Sequence, residues 1–163
     1  MISGLIVYNE YDAKCNRFFI NKCLELLNDE AFSLTYADEE KLLEYVSTNK
    51  VDFVIYRGRN YLLLEELESR GIKTFNNVVT NKTANDKYLT YEFLKENSLS
   101  YIESYLEAKS FPFIMKSVSG HGGQEVFFVK TIEEVNQIKT EHPNPKFIFQ
   151  EFLENNGDVR IYV

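Results

Sequence analysis

Between residues 4 and 75, short apolar runs alternate with amphipathic stretches of helical period, and that order leaves few folds open. The apolar runs are "GLIVY" (4–8), "FSLTYA" (32–37), "VDFVIY" (51–56) and "IKTF" (72–75), each of strand length. Between them, "NRFFINKCLELLND" (16–29) carries Phe19, Cys23, Leu26 and Leu27 at helical spacing. "DEEKLLEYVSTNK" (38–50) starts with acids, as a helix dipole favours, and "YLLLEELESRG" (61–71) closes on a glycine. Strands alternating with helices through right-handed crossovers predict a mostly parallel sheet. Such a sheet places ligands at the carboxyl ends of its strands. Here those ends hold "NEYD" (9–12) and "RGRN" (57–60). Arg57 and Arg59 either meet an anionic ligand there or are solvated loop arginines. No G-x-G-x-x-G follows the first strand, which argues against a dinucleotide-binding Rossmann domain.

The polar, turn-rich "NNVVTNKTAN" (76–85) reads as a boundary, dividing the chain into domains 1–80 and 81–163. The second part opens with a helix, "DKYLTYEFLKENS" (86–98), whose expected buried stripe is Leu89, Phe93 and Leu94. A short "YIES" segment leads to "FPFIMKSVSGHGGQEVFFV" (111–129), two apolar runs joined by a loop of small residues. An amphipathic helix follows at 131–141 through Ile132, Val135 and Ile138, and "HPNP" ends it. "KFIFQEFL" (146–153) reads as a strand, and "DVRIYV" (158–163) as another in which the sequence stops.

The glycine loop concentrates the chemistry. Glycine lets backbone N–H groups approach an anion with no Cβ in the way, and Ser117–Gly123 has the composition for it. It is not a Walker A loop, because its lysine precedes the glycines and a strand, not a helix, follows. Strand alternation puts Phe111, Phe113 and Met115 on one face and Pro112, Ile114 and Lys116 on the other. A lysine ending an apolar strand face is costly to bury unpaired, so an anion is a natural partner. Read alone, the hairpin fits a phosphate loop and a tight glycine turn equally well.

Charge and length exclude other classes. A formal net charge of −7 provides no basic excess to release phosphate counterions, which argues against a nucleic-acid partner. No apolar run approaches the about 20 residues that span a bilayer, and "MISGLIVYNEYD" lacks the basic start of a secretory signal. The expectation is a cytoplasmic protein with no membrane partner. Cys15 and Cys23 lie eight apart within one helical pattern, on one face but too distant for a disulfide. They are expected to be buried or half-buried free thiols.

Three segments together resemble the ATP-grasp superfamily, in particular its ribosomal-protein glutamate ligase-like branch. "NDKYLTYEFLKENSLSY" (85–101) looks like the family's lysine-bearing helix, and "FPFIMKSVSGHGGQEVFFV" like its strand, glycine loop and strand. "FIFQEFLENNGDVRIYV" (147–163) looks like its hinge and D-x-R strand. The resemblance implies an α/β protein. A parallel-sheet pre-ATP-grasp domain would precede the small α+β ATP-grasp subdomain, with the C-terminal lobe beyond this sequence. By similarity, Lys87 and Lys116 contact the phosphates of ATP, Lys116 also lies near the adenine, and Ser117, Ser119, Gly120, His121, Gly122 and Gly123 belong to a lid over them. Gln150, Glu151, Phe152 and Leu153 form the adenine hinge, with Glu151 and Phe152 bracketing the base. Asp158 is the ribose ligand and Arg160 the catalytic residue facing the transferred phosphate. His121 also reads as an incidental loop residue.

The implied reaction is ATP-dependent carboxylate–amine ligation through an acyl phosphate, with an amino-acid or peptide carboxylate and an amine as partners. Mg²⁺ is implied as well, its ligands expected beyond residue 163. Without that half-site the loop is expected to be open and mobile. Members of the branch often self-associate, which leaves a homo-oligomer open. The alternative is a non-catalytic nucleotide-binding or dimerisation module with a degenerate ATP-grasp lobe.

Overall fold

The computed structural model describes residues 1–155, 157 and 159. The chain divides into two compact units, Met1–Lys82 and a second from Thr83 onward. In the first, β1 (Ile2–Tyr8), β2 (Phe32–Asp38), β3 (Phe53–Tyr56) and β4 (Lys73–Phe75) form one sheet in the order β2-β1-β3-β4. All of its pairings are parallel. Helices α1 (Glu10–Cys15), α2 (Arg17–Leu26), α3 (Leu42–Thr48) and α4 (Tyr61–Ser69) provide the crossovers.

Parallel strands covered on both faces read as continuous apolar runs, and β1 shows why. Its Leu5 and Val7 pack with Leu42, Leu64 and Leu67 of the α3 and α4 side. Its Ile6 and Tyr8 pack with Ile20 and, less deeply, Ala13 and Leu24 of the α1 and α2 side. Each fully buried leucine contributes about 1.5–3 kcal/mol. Gly4 on β1 is required by space, because a Cβ there would overlap the Phe53 ring.

Several local expectations change. "NEYD" opens a helix: Asn9 caps α1 by accepting from the Asp12 N–H at 2.8 Å. Asn16 then separates α1 from α2, so Cys15 and Cys23 lie in different helices, Cys15 exposed and Cys23 half-buried, both free. The buried side of α2 is Ile20 with Leu24 and Cys23, while Phe19, Leu26 and Leu27 are exposed. The turn-rich 76–85 stretch contains a helix, α5 (Val78–Ala84), started by Asn77, whose side chain accepts from the Thr80 N–H at 2.8 Å.

The second unit holds α6 (Lys87–Glu96), β5 (Ser104–Tyr105), β6 (Phe113–Ser117), β7 (Val126–Val129), α7 (Ile132–Glu141) and β8 (Phe147–Glu151). Its sheet runs β5-β8-β6-β7 and its pairings are antiparallel. One face is apolar: Phe113, Met115, Val129, Phe147 and Phe149 form a core with Val135 of α7. Ile138 packs at its margin, while Ile132 is exposed. On α6 the buried residue is Tyr91, not Phe93, which is half exposed. The tyrosine satisfies its hydroxyl through Glu103 Oε2 at 2.9 Å.

Candidate functional site

The opposite face of the second sheet carries the polar groups. Register places Lys116 across from Val126 on one side and Ile148 on the other, and Ile114 across from Phe128 and Gln150. Gln150 in turn faces Ser104. Lys116, Gln150 and Ser104 therefore share one face of three adjacent strands, with Lys116 and Gln150 on the diagonal that long side chains can bridge.

Lys116 Nζ donates to Gln150 Oε1 at 2.6 Å. Burial pushes its ammonium below the ordinary 10.5. Lys87 is the first residue of α6, whose N-cap Asp86 accepts from the Tyr88 and Leu89 N–H groups. Its own backbone N–H donates to the Val118 carbonyl at 3.0 Å, and its Nζ donates to the Gly120 carbonyl. Burial, then the nearby Lys116 ammonium, hold Lys87 below its ordinary value, against the opposite pull of Glu125 and Asp86. Among the described residues neither lysine forms an ion pair. Two ammonium groups, each resting on a neutral oxygen and each disfavoured by its surroundings, make a site that an anion would stabilise.

The loop between β6 and β7 is tied down. Ser117 is fully buried, and its Oγ accepts from the Gly120 N–H at 2.8 Å. Its backbone N–H donates to the Glu125 carbonyl at 3.0 Å. A Cβ at Gly120 would lie 2.7 Å from Glu125 Oε2 and 2.8 Å from Ser117 Oγ, so the turn accepts only glycine without moving neighbours. Gly122 and Gly123 adopt φ of +63° and +75° with open space around them. Ser119 and His121 are exposed, and the His121 carbonyl accepts from the Gln124 N–H.

At the end of β8, Glu151 is exposed and its N–H donates to the Glu103 carbonyl at 3.2 Å. Phe152 packs its ring 4.6 Å from that of Phe128, and Leu153 is about half exposed. Phe128 lies across from Ile114 on the Lys116 face, so the Phe128–Phe152 pair borders it. Asp158 and Arg160 lie outside the described residues. Arg57 and Arg59 follow β3 in the first unit and are exposed; Arg57 lies 6.0 Å over the Phe19 ring. Among the described residues no group of three or more acids, histidines or cysteines is arranged to hold a metal ion.

Sequence reasoning missed Ser104 and Glu125. Glu125 stood next to the glycines and was readable as a nearby charge. Ser104 lies 46 residues from its Gln150 partner and had no local signal.

Residues 84–157 match the family model described as the ATP-grasp domain. Over 170 residues the chain is 29% identical to "Uncharacterized protein MG011 homolog" of Mycoplasma pneumoniae, covering 98% of this chain and 58% of that protein. The chain thus spans well under two thirds of that relative's length. Among solved structures, the VanG D-Ala:D-Ser ligase of Enterococcus faecalis superposes with a TM-score of 0.72 at 14% identity, covering 94% of this chain and 63% of that one. D-alanine–D-alanine ligase of Bacillus anthracis complexed with ATP gives 0.69 at 16% identity, covering 94% and 59%. The chain therefore has the α/β fold of the ATP-grasp ligases, with the ATP-grasp domain matched over residues 84–157.

Proposed function

We propose that this chain is the N-terminal part of an ATP-dependent carboxylate–amine ligase of the glutamate ligase-like branch, and that the Lys116 face of its second unit binds ATP. The observation that carries the reading is the pair Lys87 and Lys116, both shifted toward neutrality and both lacking a carboxylate partner among the described residues. Phosphate oxygens would supply the missing counter-charge; Ser119, His121, Gly122 and Gly123 would offer backbone N–H groups beside it, while Ser117 and Gly120, whose N–H groups are bonded within the loop, would hold its shape. Gln150, Glu151, Phe152 and Leu153 would line the base, with Phe128 and Phe152 as an apolar wall.

In this reading ATP phosphorylates a substrate carboxylate, and an amine displaces phosphate from the acyl phosphate. The residues act by positioning and by neutralising charge as it moves. Asp158 would hold the ribose and Arg160 the transferred phosphoryl group. Arg57 and Arg59 are the candidates for the substrate carboxylate. Mg²⁺ would neutralise the phosphates, with its protein ligands expected outside the described residues, among which no group of three or more acids, histidines or cysteines is arranged to hold a metal ion. Assignment to the cytoplasm, and self-association, belong to the same proposal.

The test is an assay of the full-length protein with ATP, amino acids and hydroxylamine. The expected result is ADP and phosphate, with a hydroxamate whose formation requires the carboxylate. Formation of AMP and pyrophosphate would replace the acyl-phosphate route with adenylation. ATP binding without turnover on any carboxylate tried would favour the non-catalytic module.

A further inference from the structure

We propose that Ser104 is a positioning residue for Lys116, acting through the side-chain amide of Gln150. The inference rests on the nucleotide-binding reading and extends it to a residue on the far strand of the sheet.

Gln150 has two chemically different ends, and only one of them suits a lysine. Its oxygen accepts from Lys116 Nζ at 2.6 Å, while its Nε2 donates to Ser104 Oγ at 3.0 Å and, at the longer distance of 3.5 Å, to the Ile102 carbonyl. Ser104 is 3% exposed, and its hydroxyl donates to the Ile102 carbonyl at 3.0 Å. That direction is forced, since a carbonyl only accepts. The hydroxyl's lone pairs are then left facing Gln150, where they accept the amide N–H. A flipped amide would place two N–H donors against an ammonium and an oxygen against lone pairs. The chain Lys116 to Gln150 to Ser104 to Ile102 therefore has one sense only, fixed at a main-chain carbonyl on β5's edge.

The neutrality of Gln150 matters as much as its direction. A carboxylate at this position would pair with Lys116 and satisfy its charge. The amide holds the ammonium in place and leaves the charge uncompensated for an incoming anion. The strand neighbours Ile114, Val126, Phe128 and Ile148 are apolar and cannot accept a hydrogen bond from the ammonium with their side chains.

The experiment measures ATP affinity by calorimetry on the full-length protein in four forms: wild type, Ser104→Ala, Lys116→Ala and the double variant. Losing the hydroxyl removes both of its hydrogen bonds, of which the one from Gln150 Nε2 orients the amide, so Ser104→Ala is expected to weaken ATP binding about fivefold when Lys116 is present. In the Lys116→Ala background the same change is expected to have a clearly smaller effect, limited to what Gln150 itself contributes at the base. Equal losses in both backgrounds, or none in either, would overturn the proposal. A Lys116→Ala protein that binds ATP like wild type would instead overturn the nucleotide reading. Gln150→Glu is a second route that does not depend on Ser104→Ala folding. It should raise the Lys116 pKa, followed by NMR of the lysine ε-carbon, and weaken ATP binding. An unchanged lysine pKa would count against the positioning chain.

Discussion

The two sheets of this chain treat charge in opposite ways. In the first unit, Lys14 pairs with Glu10 at 2.7 Å and Lys22 with Glu25 at 2.7 Å, each within one helix and open to solvent. Its strands use both faces for apolar packing. In the second unit, one sheet face is apolar and the other carries Lys116; among the described residues the Lys116 and Lys87 ammonium groups donate to neutral oxygens and form no ion pair. Exposed pairs contribute at most about 1 kcal/mol and reserve nothing for a ligand. Half-buried unpaired ammonium groups cost stability and reserve their charge. The contrast teaches that a candidate binding site is better located by uncompensated charge than by the number of charges.

The largest expected effect checks whether the second sheet's apolar face is a core of ordinary strength despite its charged reverse. Met115 is fully buried, so Met115→Ala should lower unfolding free energy by about 2–5 kcal/mol in denaturant titration. Leu64→Ala in the first unit should fall in the same range, since Leu64 is equally buried. A Met115→Ala loss well below the Leu64→Ala loss would mean that the second sheet is loosely packed, and the site geometry on its reverse would lose its rigid base.

Next in size is the ligand itself. Lys116→Ala removes a charge-assisted contact of about 1.5–3 kcal/mol, so ATP affinity of the full-length protein should fall by roughly 10–100-fold. Lys14→Ala removes an exposed, already paired lysine and should leave ATP affinity unchanged. Comparable losses in the two variants would erase the distinction between paired and reserved charge.

The pH dependence sharpens it further. Both site lysines have folded values below 10.5, so between each folded value and 10.5 the unfolded chain binds more protons than the folded one. Stability should rise with pH through that window, and the cost is present in full below it. In Lys116→Met the rise should be smaller and the protein more stable at neutral pH. Parallel urea profiles for the two proteins would show that the Lys116 charge carries no folding cost.

How much of this was legible depends on how local the cause was. The parallel pairing of β1 to β4 was readable because strand-length runs alternate with helical stretches; their order in the sheet was not. The helix α5 was hidden because "VVTNKTA" holds β-branched residues and an asparagine of poor helix propensity. Its start is set by the Asn77 cap and not by a periodic stripe. On α6, pattern reading favoured Phe93, but the amphipathic Tyr91 is the residue that can satisfy both an apolar contact and Glu103. In the site, Lys116 and the glycines were legible because they are contiguous. The Gln150–Ser104 bond was not, because it exists only once β5 and β8 are paired.

The smallest effect tests how firmly Lys87 is aimed. Asp86 Oδ1 accepts from the Tyr88 and Leu89 N–H groups, both at 2.9 Å, and so fixes where α6 begins. Asp86→Ala should cost about 1 kcal/mol of stability. Asp86→Asn keeps an acceptor at the cap and should recover most of that loss. The two variants also separate position from charge. The Asp86 carboxylate raises the Lys87 pKa, so both substitutions should lower it further. Only the alanine should also loosen the helix start that carries Lys87. Weaker ATP binding in Asp86→Ala, with near-normal binding in Asp86→Asn, would assign the effect to the position of Lys87. Equal weakening in both would assign it to the lost carboxylate, and the reserved charge at this end of the site would then depend on an acid after all.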